Sequence, residues 1–524
     1  MVNALFSLDC PCCGAKVPVY SATSVLVVCE YCHSSLIRSE DRAIDSGRKS
    51  ALFEDFSPIQ LYTSGTFKGQ PFQIIGRLQI EYDQGSWNEW YVLFANGSRG
   101  WLGDSGGQFM FTFLAEPLPD TQLLPFSEVK AGITTVTYRN LKFRASDVRE
   151  ARSIKANAQG ELPFLLTEDE KVLAADFRYQ SDFLTLDYSE NEEKPLVYIG
   201  QAVDLSNLHC QNLRSNDTIL ESAGKLKGSR AALECPNCGS SLSWFPGVAQ
   251  NVICPSCHSD LDLTEGQAKV AKVYNMRAAQ ADSASIKLGE RAKIGGRTWV
   301  VIGLMCVHEL EEHVARSAVD GIFNSNQNIR VLPDRWYEYL LYHPQVGFQW
   351  LIESTEGWEI SHQLDHWPAL NIQGQPIQFK KTLKPTVCYG AKVMYAAGAF
   401  SWHVQPDDVT FITDYVYGNE KLTCERTAHE MTWSRSQKVS GQELAQWFGR
   451  PELKSLNQFS GINFDFGGFT KTHAIILSVI FILINLPVMS KLSEVFDHFE
   501  ILLFVNMVVW VMLWTPFREN EDDD

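Results

Sequence analysis

The stretch GQPFQIIGRLQIEYDQGSWNEWYVLFANGSRGWL, residues 69–102, decides the fold. Phe72 to Ile80 and Glu89 to Leu102 are rich in aromatic and branched side chains, which pack well on a pleated surface. Asn96-Gly97 sits between two such runs. That dipeptide predicts a hairpin, because both central positions of the tightest turns need positive φ, which Asn and Gly tolerate. Short strands separated by Gly-rich turns predict a mainly β chain built on a small β-barrel or sandwich. Helix-period segments do not alternate with these strands, so a parallel α/β sheet is excluded.

Working outward, the stretch occurs twice. Gly69, Phe72, Ile75 and Gly76 meet Gly296, Trp299, Ile302 and Gly303. After an insertion in the second copy, Trp87, Glu89, Trp101 and Leu102 meet Trp336, Glu338, Trp350 and Leu351. His343 to Gly347 replaces the Asn-Gly turn with a longer one. Asp187-Tyr188 and Asp414-Tyr415 extend the match at the first offset.

Each copy is preceded by paired cysteines. Cys10, Cys13, Cys29 and Cys32 recur as Cys235, Cys238, Cys254 and Cys257, and His33 recurs as His258. This is the two-knuckle spacing of a structural zinc ribbon, in which four thiolates close a tetrahedron and leave no ligand position for water. The eight cysteines therefore predict two structural Zn2+ ions, and a site of this kind stabilises a segment too small to bury a core of its own. A redox reading expects one pair beside a βαβ unit. A c-type haem reading of Cys29 to His33 and Cys254 to His258 leaves the upstream pairs unexplained.

The predicted organisation is zinc ribbon 1 over 1–40, β module 1 over 50–205, a polar linker over 206–230, zinc ribbon 2 over 231–265 and β module 2 over 286–455. Glu265 to Ala281, with Thr264 and Gln267 at capping-box spacing, is a predicted helix joining the second ribbon to its module.

The C-terminal segment changes character. Ala474 to Met489 and Ile501 to Phe517 carry no charged side chain, which predicts a transmembrane helical hairpin within 472–517, its short spans extended by flanking residues. Asn485, Pro487 and Asn506 are the features that favour a buried soluble hairpin instead. Lys454, Lys471 and Arg518 flank the outer ends against Lys491 in the connection, which predicts both termini, and the bulk of the chain, on the cytoplasmic side of the inner membrane. No secretory signal opens the chain, and Cys-x-x-Cys pairs suit a reducing compartment. Residues 518–524 form an acidic tail.

With Lys+Arg 45 against Asp+Glu 62, the 524 residues carry a formal charge of −17. Neither ribbon offers a basic stripe, which argues against nucleic-acid binding.

Gly103-Asp104-Ser105-Gly106-Gly107 spells a serine-protease nucleophile segment, but His33, the only upstream histidine, belongs to a ribbon, so a β-turn is expected. His308-Glu309 and His313 miss the H-E-x-x-H spacing by one residue, which rotates the second histidine off the shared helix face. His362 to His366 resembles H-x-x-E-H with Asp365 for Glu. No phosphate-cradling glycine loop occurs, and Cys210, Cys306, Cys388 and Cys424 are expected to be small buried hydrophobes.

The combination of a CPxCG-type ribbon with G-x-x-(F/W)-x-x-x-G and W-x-E-(W/Y)…WL resembles the bacterial family called domain of unknown function 4178. Residues 69–76 with Trp87 to Trp90 and Trp101-Leu102 carry the resemblance in copy one, and Gly296 to Gly303, Trp336 to Tyr339 and Trp350-Leu351 carry it in copy two. It implies no activity and no catalytic residues; the association it implies, with bacterial membrane-stress and polyamine-synthesis genes, suits an accessory protein. The expectation is a non-enzymatic, membrane-anchored adaptor whose duplicated modules bind protein partners on the cytoplasmic face. The alternative is an enzyme with a pocket in the second module, near His308, His313, Trp336, His362 and His366.

Overall fold

The computed structural model describes residues 4–454, except 40–41, 51, 53–54, 56, 83–84, 106, 153–156, 167–170, 216, 220–234, 236, 238, 240–250, 255–258, 263–268, 274–283, 322–330, 345, 379, 401–403, 406–407 and 419. The hairpin expected within 472–517 and the acidic tail lie outside the described residues. Among those described, no helix is long and apolar enough to cross a membrane.

Both modules are eight-stranded antiparallel barrels, which decides between barrel and sandwich. In the second, Arg297–Leu310, Arg335–His343, Gly347–Ser354, Gly357–Gln363, Met431–Val439, Glu420–Arg426, Val409–Tyr417 and Val387–Ala399 pair in that order. Val387–Ala399 then returns to Arg297–Leu310 and closes the ring. The first barrel repeats the order with Gln70–Tyr82, Gly85–Phe94, Arg99–Ser105, Gln108–Leu114, Leu196–Val203, Asp182–Asp187, Lys171–Tyr179 and Leu141–Arg152. Its closing strand is split: Leu141–Arg152 pairs with Lys171–Tyr179, and Asn157–Leu162 pairs with Gln70–Tyr82. Closure removes the unpaired edges that an open sheet would expose.

Glycine permits the closest approach at the seam. A Cβ on Gly76 would stand 1.8 Å from the Glu161 carbonyl oxygen, so no other residue fits there. The hairpin at 94–98 forms as expected but with different turn chemistry. Gly97 donates to the Phe94 carbonyl at 2.9 Å and Phe94 to that of Ser98 at 2.9 Å, and Gly97 alone takes positive φ, at 83°. It is a three-residue loop with a glycine bulge, so Asn96 keeps an ordinary φ and its side chain accepts from Ser98 N–H.

The ribbons are not independent beads. Leu26–Val28 of the first pairs with the closing strand of barrel one, Val27 opposite Glu161, and Asn251–Ile253 of the second pairs with that of barrel two, Val252 opposite Ala399. The same docking occurs in both copies at matching positions.

Two expectations change. Lys269–Val273, inside the predicted helix, is a strand paired with Ser259–Asp262: its valines favour extended backbone, and an open ribbon edge supplies the partner. The start of the predicted linker belongs to module one. Leu208 is buried in its core, and the Arg214 guanidinium, also buried, donates to the carbonyls of Asp55 at 2.7 Å and Ser57 at 2.9 Å. Helix Gly441–Phe448 falls within the span expected to be β module 2, and Ser440 and Glu443 open it with a full capping box.

The two barrels touch. Val148 N–H donates to the His429 carbonyl at 2.9 Å and Trp367 N–H to that of Gln180 at 3.2 Å.

Candidate functional site

In the first ribbon two tight turns bring the four thiols together. Gly14 N–H donates to the Cys10 carbonyl at 2.8 Å and His33 N–H to the Cys29 carbonyl at 2.9 Å, with Gly14 and His33 both at positive φ. This curls each Cys-x-x-Cys around a common centre. The four sulfurs lie within 4.8 Å of one another; Cys10 and Cys32 are 3.6 Å apart and Cys13 and Cys29 3.7 Å. Tetrahedral ligation at about 2.3 Å separates sulfurs by about 3.8 Å, whereas a disulfide needs about 2.0 Å. The donor set fits a tetrahedral ion.

In the second ribbon Cys235 and Cys254 are buried, and Cys238 and Cys257 lie outside the described residues. The turn bonds nonetheless recur: Gly239 N–H donates to the Cys235 carbonyl at 2.7 Å and Cys254 N–H to the Ser259 carbonyl at 2.9 Å, the latter matching Cys29 to Ser34 at 3.0 Å.

The barrels hold a second set of repeated groups. Side chains alternate across a strand, and in barrel one Trp90 packs outward on Ile59 and Phe67, so Glu89 points inward. Likewise Phe177, Leu184 and Leu186 pack on the outer segment of Leu118 and Val129, which turns Asp176, Thr185 and Asp187 inward. Barrel two is oriented by helix Glu312–Val319: a Cβ on Gly390 would meet that of Ala315 at 2.3 Å, so Gly390 faces out and Tyr389 in.

The inward groups correspond pairwise. Trp87 Nε1 donates to Glu89 at 3.0 Å, and Trp336 Nε1 to Glu338 at 2.7 Å. Thr185 donates to Asp176 at 2.7 Å, and Thr423 to Asp414 at 2.6 Å. The W-x-E motif is thus an indole clamping a carboxyl inside each barrel. These bonds also correct the alignment: Asp414 corresponds to Asp176, not Asp187, and Glu425 takes the place of Asp187. On the outer face Ser57 and Trp90 donate to Asp104, as Ser285 and Tyr339 donate to Glu353.

Burial, with the nearby Asp176 charge, pushes Glu89 up to about 8. Asp176 rises to about 7, through burial and Asp147, and Glu425 to about 8, through burial and Glu338. The copies also differ in the charge they place there. Where barrel one has Phe183, barrel two has Lys421, which is 2.5 Å from Glu359 and 3.8 Å from Asp414.

The histidines do not assemble. His308 lies on a strand, bonded through Nδ1 to the Leu332 carbonyl at 3.4 Å, whereas His313 is on the following helix, exposed beside Glu311. His362 and His366 are exposed. Among the described residues, no group of three or more metal-ligating side chains forms around them. Asp104 and Ser105 lie in strand Arg99–Ser105, so the expected turn falls later, before Gln108. Of the lone cysteines, Cys306 is fully buried, while Cys210, Cys388 and Cys424 are partly so.

A family model described as domain of unknown function (DUF4178) matches residues 60–205 and 287–441. Each match covers one barrel and leaves the ribbon before it outside. No curated protein and no solved structure matches the chain.

Proposed function

The chain belongs to the DUF4178 family and carries its domain twice, and on that premise we propose that it is a zinc-braced adaptor, held at the cytoplasmic face of the inner membrane by its C-terminal hairpin, whose paired barrels bind protein partners. Each ribbon takes one Zn2+ through Cys10, Cys13, Cys29 and Cys32, or through Cys235, Cys238, Cys254 and Cys257. The ion has a structural role, since four thiolates leave no open position for substrate.

One observation carries this reading: each ribbon strand pairs antiparallel with the closing strand of its own barrel at the matching register. The metal site then stiffens the sheet, and two such units in one chain present two surfaces at high effective concentration. The uncharged stretches at 474–489 and 501–517 support the membrane anchor.

The experiment is affinity capture from gently solubilised bacterial membranes, using the whole chain and a chain ending before Thr472. Partners that are recovered reproducibly with the whole chain and lost on truncation support the adaptor. Absence of partners from both forms, with catalytic turnover of any substrate offered, would replace it with the enzyme reading.

A further inference from the structure

Between the two barrels lies a cavity of about 240 Å³, walled by Lys142, Arg144 and Arg178 of the first and by Trp367, Pro368 and Leu370 of the second. Three cations line it and no carboxylate does, in a chain whose net charge is −17. Arg144 and Arg178 are direct partners across neighbouring strands, a placement in which like charges repel. Lys142 stands two residues before Arg144, on the same face.

The guanidinium groups are held by oxygens that carry no formal charge. Arg144 donates to the carbonyls of Gly132 at 2.8 Å and Ile372 at 3.4 Å. Arg178, buried, donates to the Asp365 carbonyl at 3.1 Å and to Gln108 Oε1 at 3.5 Å. Neither forms an ion pair among the described residues. The carboxyls whose charge reaches Arg178 are those of Asp365, Asp176, Glu430 and Asp147, and none lines the cavity. Holding two guanidinium groups side by side, one of them buried, with no direct ion pair is costly, and an anion in the cavity offsets that cost. The opposite wall is mostly apolar, with Trp367, Pro368, Leu370 and Ile372 beside Asn371; the Trp367 main-chain N–H is tied to the Gln180 carbonyl and its ring lies 5.9 Å from the Arg178 guanidinium.

We propose that this cavity binds a small phosphomonoester with a compact apolar body, its phosphate between Arg144, Arg178 and Lys142 and its body against Trp367 and Leu370. A phosphomonoester carries close to two negative charges at neutral pH, and arginine forks match its oxygens in pairs. The volume is below the roughly 300–1,000 Å³ of pockets for drug-sized ligands, which selects a small molecule. Because walls come from both copies, the ligand bridges them. This assignment is independent of the zinc and adaptor readings.

The test is calorimetric titration of the full chain in detergent with phenyl phosphate, inorganic phosphate and benzoate. Phenyl phosphate should saturate one site per chain and bind at least about tenfold more tightly than either other titrant, and Arg144→Gln should weaken it at least about tenfold. Lys142→Gln, at an exposed side chain, should weaken it by a smaller factor while leaving the melting temperature unchanged, which separates a lost contact from misfolding. Absence of saturable binding, or binding that survives both substitutions, overturns the site. Equal affinity for inorganic phosphate overturns the role of the apolar wall, and tighter binding of benzoate overturns the choice of phosphate.

Discussion

Val27 of the first ribbon is the ladder partner of Glu161 in the closing strand of the first barrel. The Glu161 carboxyl turns back to the ribbon, accepting from Ser21 N–H at 3.0 Å and from Tyr20 N–H and Ser24 Oγ at 2.5 Å. One residue of the barrel thus fastens the ribbon through its main chain and its side chain.

Glu161→Ala leaves those three donors without their acceptor. Its cost is expected to be about 2–4 kcal/mol, read as a lowered midpoint in urea. Limited proteolysis should then cut the ribbon first. An unchanged midpoint would mean that the ribbon is held by other contacts.

A pH dependence follows from the barrel interiors. Glu89 has a folded pKa of about 8, against an ordinary value near 4.3 in the unfolded chain. Between these values the folded state binds more protons than the unfolded state, so stability falls as pH rises from about 4 to 8 and then levels off. Asp176, Asp104 and Glu425, raised to about 7, 7 and 8, act in the same direction. Glu89→Gln keeps an acceptor for Trp87 Nε1 and removes one titrating group. The melting temperature of this variant should decline less steeply over pH 5–8 than that of the parent chain; parallel profiles would show that Glu89 ionises freely in the folded barrel.

Gly76→Ala drives a methyl group into the Glu161 carbonyl at the barrel seam. Overpacking against main chain cannot be relieved by a rotamer change, so a loss of about 3 kcal/mol or more is expected. Gly97→Ala, in an open turn at positive φ, should cost only about 1 kcal/mol. Equal denaturation midpoints for the two variants would place the seam elsewhere.

The grouping of Cys10, Cys13, Cys29 and Cys32, the duplication and the W-x-E motif were legible because each rests on a short, fixed spacing. Trp87 and Glu89 share a strand face by period alone, so their contact is local. The correspondence of Asp176 with Asp414 was not legible: the two-residue match of Asp187-Tyr188 masked it, and only the threonine bonds across neighbouring strands reveal it. Lys269–Val273 read as helix because a capping pattern preceded it, while the strand that fixes it comes from the ribbon. The cavity between Arg144 and Trp367 joins residues more than two hundred positions apart, through a packing of barrels that periodicity does not encode. A basic face on Lys142 and Arg144 was its one local signal.

The measurement that bears most directly on the zinc-braced scaffold is metal content of the purified full chain, followed by thermal unfolding before and after chelation, read by tryptophan fluorescence. The account predicts two zinc ions per chain, and a barrel transition that moves down with the metal, because ribbon and barrel share one ladder. A metal-free chain, or a barrel transition that stays in place when zinc is stripped, would contradict it.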